Sequence, residues 1–119
     1  MQKKNFIKSL IFAIAGLRRF FFSELHALYH TIAAIMVIIL AIIIDVNRWE
    51  WGLLIVAIAL VFFAEITNSV VEAIMDFLHP DYNVNAGRIK DMAAGLVLFC
   101  SIVAVILGVL VFYPYIISL

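Results

Sequence analysis

Residues 25–44 of this chain carry no Asp, Glu, Lys or Arg, and neither do residues 92–119. At about 1.5 Å of helical rise per residue, a run such as 27–44 is close to one hydrocarbon thickness. A third apolar stretch, from Trp51 to Ala64, stays uncharged for only about 21 Å at that rise. It is followed by Glu65, Glu72 and Asp76 with no helix breaker before Pro80. These runs leave little choice of fold, because a backbone surrounded by lipid has to satisfy its own hydrogen bonds. The expected class is an all-α integral membrane protein.

Composition supports this reading. The chain has 119 residues, 67% of them hydrophobic, and a mean hydropathy of +1.20. Soluble domains are about half apolar, and a soluble chain this short could not bury so much apolar surface. Eight basic and eight acidic residues cancel, so overall charge points to no partner class and no nucleic acid is expected. Cys100 lies inside an apolar run and reads as packing. The basic start and the apolar run 11–17 are closed by Arg18 and Arg19, without the small residues of a cleavable signal, so this segment is expected to stay in the mature chain.

The organisation follows from where polar residues interrupt the runs. In 3–22, Phe6, Leu10, Ala13 and Leu17 recur at helical spacing, with Lys4, Lys8 and Arg19 among the polar positions. This predicts an amphipathic helix lying on the membrane surface. Spans are expected at about 27–44, 50–78 and 91–118, the second with a polar extension beyond the hydrocarbon. Trp49 and Trp51 flank the first connector like an interfacial belt. Residues 79–87 read as a polar loop. Lys3, Lys4, Lys8, Arg18 and Arg19 precede the first span, and Arg88 and Lys90 lie between the second and third. Only Arg48 lies between the first and second. The positive-inside rule then predicts a cytoplasmic N-terminus and an outside C-terminus. With no internal repeat or linker, residues 1–119 read as one domain.

The informative stretch is Glu65-Ile66-Thr67-Asn68-Ser69-Val70-Val71-Glu72-Ala73-Ile74-Met75-Asp76. Relative to Glu65, Asn68 falls near about 300°, Ser69 about 40°, Glu72 about 340° and Asp76 about 20° on a helical wheel. Five polar side chains therefore share one face. Like-signed carboxylates one turn apart repel, and each is costly near hydrocarbon. A divalent cation relieves both problems, and magnesium takes one or two carboxylates plus substrate phosphates. The stripe reads as a metal–phosphate site near the membrane surface; the plain alternative is a polar face turned to water or to another polar helix. Arg88 and Lys90 at the same boundary are donors suited to phosphate, and equally common topology determinants. His26 and His30, one helical turn apart, have a spacing that can bind metal but read as interfacial packing. His79 reads as a loop residue.

These residues resemble the bacterial membrane diacylglycerol kinase and undecaprenol kinase family. The resemblance rests on the stripe above and on Ala15-Gly16-Leu17-Arg18. It extends to Glu24 with His30, to Tyr82 and to Ala86-Gly87-Arg88-Ile89-Lys90-Asp91-Met92-Ala93-Ala94-Gly95. It implies a homotrimer of three-span subunits in the bacterial inner membrane, with active sites shared between neighbours. It also implies transfer of the ATP γ-phosphate to a membrane lipid alcohol, with Mg2+. Carried over by position, Glu65 matches the general base and Glu24 and Glu72 the magnesium ligands. Arg18, Asn68, Asp76, Lys90 and Asp91 match nucleotide-site residues, and Glu65 and Ser69 would meet the lipid. Ala93-Ala94-Gly95 and the Glu24/His30 pairing are more like the undecaprenol branch, whereas Gly87-Arg88 is more like the diacylglycerol branch. The aromatic run Arg19-Phe20-Phe21-Phe22 departs from both. Two other classes remain: a small cation transporter subunit, and a non-catalytic assembly subunit using the stripe as helix glue.

Overall fold

The computed structural model describes residues 5–119, which form four helices: α1 (Phe6–Ser23), α2 (Leu25–Ile44), α3 (Arg48–Leu78) and α4 (Val84–Ile117). Lys3, Lys4 and the start of the expected surface helix lie outside the described residues. Among the described residues, α2, α3 and α4 are long and apolar enough to cross a membrane. At 31 and 34 residues, α3 and α4 exceed the roughly 30 Å hydrocarbon core by several turns.

Local chemistry sets the boundaries. Asn5 caps α1, its side chain accepting from the Lys8 amide at 2.8 Å. Glu24 alone separates α1 from α2, in an extended conformation (φ −104°, ψ 122°). α2 ends at Asp45, which adopts the left-handed region (φ 62°) while its amide bonds back to Ala41 and the Val46 amide does the same. α3 opens with a reciprocal capping box. Asn47 Oδ1 accepts from the Glu50 amide at 2.9 Å, and Glu50 Oε1 accepts from the Asn47 amide at 2.9 Å.

α4 starts inside the expected polar loop over 79–87. Asn83 accepts from the Ala86 amide at 3.0 Å, so the helix begins at Val84 and the connection shrinks to residues 79–83. A good N-cap residue outweighed the polarity of the following turn. Arg88, Lys90 and Asp91 therefore stand within the first turns of a continuous helix.

α3 runs antiparallel to both α2 and α4. Ala41, Val46, Leu54, Val111 and Phe112 are buried together where the α2–α3 turn meets the end of α4, with Val37, Ile44, Trp51 and Tyr115 against them. The Tyr115 hydroxyl donates to the Glu50 carboxylate there. An apolar cavity of about 570 Å³, lined by residues of α2, α3 and α4, runs from Leu54 and Phe112 at this packed end to His30 at the other. α1 is exposed along most of its length; Phe20 is buried, and Phe21 meets Phe62 of α3 with ring centroids 5.4 Å apart.

Candidate active site

Because α3 is unbroken from Arg48 to Leu78, Glu65, Asn68, Ser69, Glu72 and Asp76 lie along one rod, as their spacing predicts. Their burial falls along it. Glu65 is 4% exposed, Asn68 and Ser69 are half-buried, and Glu72 and Asp76 are exposed. The stripe thus starts inside the protein and ends outside it. Asn68 Oδ1 is the one buried side-chain polar atom without a hydrogen-bond partner among the described residues. An unpaired buried acceptor costs about 1–3 kcal/mol, a cost that an arriving donor removes.

Glu65 is paired from a neighbouring helix. His30 Nε2 of α2 lies 2.9 Å from Glu65 Oε1. With the carboxylate ionised, the ring N–H donates and the oxygen accepts. His26 does not share this role: it is exposed and meets the Tyr29 ring edge-on, centroids 6.5 Å apart. The two histidines thus face different partners, and His30 has a polar one beyond the interfacial packing expected of it. One signal was available in the sequence. A carboxylate inside a span needs a donor, and His30 is one of few polar residues on the adjacent helix. What the sequence lacks is the register that brings the two together.

At the exposed end of the stripe, Lys90 Nζ of α4 lies 2.5 Å from Asp76 Oδ1. Glu72 is near enough to interact with the same charge. The structure thus pairs Asp76 with Lys90, from the two elements the sequence singled out. Arg18 and Asp91 are not joined to them: among the described residues, no hydrogen bond or ion pair connects either to the stripe. Arg18 is exposed on α1, its guanidinium 6.0 Å from the centroid of the Phe22 ring.

The His30–Glu65 contact sets the level of the remaining acids. Glu24 lies six residues before His30 and Glu72 seven residues after Glu65. In antiparallel helices this places both about 10 Å further along the same direction. No group of three or more His, Cys, Asp or Glu side chains suited to a metal occurs among the described residues. Magnesium does not require one, since one or two carboxylates and substrate phosphates complete its shell. Two carboxylates are oxygen donors of the kind a hard cation takes. The apolar cavity ends at His30 on one side, with Ser101, Ala104 and Phe62 among its walls.

The family model described as prokaryotic diacylglycerol kinase matches residues 11–112. The diacylglycerol kinase of Escherichia coli (strain K12) is 35% identical over 100 residues, covering 84% of this chain and 82% of that protein. The undecaprenol kinase of Bacillus subtilis (strain 168) is 28% identical over 113 residues, covering 95% and 92%. The diacylglycerol kinase of Helicobacter pylori (strain ATCC 700392 / 26695) is 28% identical over 116 residues, covering 98% and 88%.

Proposed function

The chain belongs to the prokaryotic diacylglycerol kinase family, and from that premise we propose that it transfers the γ-phosphate of Mg-ATP to a membrane lipid alcohol, diacylglycerol or undecaprenol. It is a lipid kinase of the membrane. The observation that carries the finer reading is the burial gradient along α3, from a sequestered Glu65 beside an apolar cavity to an exposed Asp76–Lys90 pair. A lipid alcohol and a charged nucleotide need these two environments at one place.

Phosphoryl transfer asks the protein mainly for positioning and charge neutralisation. Glu65 is the general base. Its Oε1 is engaged by His30, so Oε2 takes the proton of the lipid hydroxyl as that oxygen attacks the γ-phosphorus. Ser69, one turn further on, orients the hydroxyl. The apolar cavity suits the hydrocarbon chain. Glu24 and Glu72 would hold magnesium, which would supply charge neutralisation to the nucleotide phosphates. Lys90 has three donor hydrogens, so it can keep Asp76 and still donate to phosphate. Arg18, Asn68, Asp76 and Asp91 complete the nucleotide site. No glycine-rich phosphate loop occurs in the sequence, so side chains do this work.

The same reading places the α1 end in the cytoplasm of a bacterial inner membrane. Lys8, Arg18, Arg19, Arg88 and Lys90 lie toward that end and Arg48 at the other. α1 rests on the membrane surface and three chains assemble as a homotrimer. An ion path would carry polar groups through the bilayer midplane, whereas the stripe here runs to one end of its helix.

The test is a parallel assay of purified protein with radiolabelled ATP and magnesium, offering diacylglycerol and undecaprenol separately. Label is expected in at least one lipid, and the ratio of rates identifies the acceptor. Folded protein that labels neither lipid would overturn the reading in favour of an assembly role.

A further inference from the structure

We propose that His30 is a positioning residue for Glu65, holding one carboxylate oxygen so that the other meets the acceptor hydroxyl. The inference rests on the reading of Glu65 as the base. Three observations carry it. His30 Nε2 is 2.9 Å from Glu65 Oε1, the one side-chain hydrogen bond to Glu65 among the described residues. Glu65 is almost wholly buried, so an ionised carboxylate there depends on that donor. His30 also lines the end of the apolar cavity, so the contact sits where hydrocarbon space meets the polar stripe.

The physical consequence follows from side-chain freedom. A glutamate has three rotatable bonds, and nothing on α3 itself holds this one. The imidazole comes from α2, a separate helix, and so ties the carboxylate to a fixed point on the far side of the site. Reaction requires the base within about 2.6–3.2 Å of the proton it takes. In the step itself the lipid O–H proton passes to Glu65 Oε2, the lipid oxygen bonds to the γ-phosphorus, and the bond from that phosphorus to ADP breaks. His30 gives up and receives no proton in this sequence. It donates through Nε2–H, which distinguishes a positioning role from a relay.

The experiment uses full-length protein in lipid vesicles and compares His30→Ala, His30→Gln and His30→Asn with Glu65→Gln. The glutamine amide can reach the place of Nε2, while the asparagine amide stops short of it. His30→Ala and His30→Asn are expected to lower kcat about 10- to 100-fold, the worth of one hydrogen bond to a charged group. KM for Mg-ATP should stay within about threefold on the same ground. His30→Gln is expected to recover most of the loss. Wild-type kcat in His30→Ala or His30→Asn would overturn the proposal. So would equal impairment of His30→Gln and His30→Asn, which would indicate a structural role. If His30→Ala does not fold, the Gln/Asn pair still decides. Full activity of Glu65→Gln would instead remove the base reading, a failure separable from that of His30.

Discussion

The two ends of α3 are built on opposite principles. At the Arg48 end, polar groups close on one another: the capping box closes Asn47 on Glu50, Tyr115 adds a third bond to Glu50, and Leu54 is 2% exposed among Val46, Val111 and Phe112. At the Glu65 end, one carboxylate is buried on a single histidine, Asn68 leaves a buried oxygen unpaired, and two further acids stand exposed. The first end spends its side chains on holding three helices together. The second leaves donors and acceptors for molecules that arrive. One continuous helix can do both because its hydrogen-bonded backbone supports the polar face without help from packing. Removing a side chain should therefore damage stability at one end and chemistry at the other.

The sharpest break of that comparison is Glu65→Gln. It is expected to lower kcat about 100- to 10,000-fold, the usual contribution of a general base, while the melting temperature changes little. A melting temperature that collapses with activity would mean that both ends of α3 serve the fold. Leu54→Ala should do the reverse. Truncation in the packed cluster is expected to cost about 2 kcal/mol or more, seen by thermal denaturation in detergent, with kcat per folded molecule retained. Lys90→Met probes the exposed end of the stripe. Its pair with Asp76 is solvent-exposed and adds little to the fold, so stability should hold while KM for Mg-ATP rises about tenfold through the lost phosphate contact. The smallest effect belongs to the turn. Asp45 stands at φ 62°, which a β-branched residue resists. Asp45→Val is expected to cost about 1 kcal/mol in thermal denaturation and Asp45→Gly less than that, with activity unchanged in both.

Much of this was legible in the sequence, for reasons that differ between residues. Residues 25–44 announce a span through composition, and the stripe announces itself through spacing, because a continuous helix converts spacing into direction. Asn83 was less visible. A capping asparagine and a loop asparagine look alike until the following turn is seen to be helical, which is why a polar loop over 79–87 is expected where α4 already starts at Val84. The larger gap is the partner of His30. That partner lies thirty-five positions away, and no periodicity within α2 points to it.

The sequence by itself thus determined which segments suit the bilayer, how the polar residues of α3 share one face, and which family the residues resemble. All of these depend on residue type and on the fixed geometry of a single helix. Only the tertiary structure decided that Glu65 is buried on His30, that Lys90 reaches Asp76, and that an apolar cavity ends beside the stripe. Those facts depend on the register between helices. Register is set by how the whole set of side chains packs, from Ala41, Leu54 and Phe112 at one end to Phe21 and Phe62 toward the other.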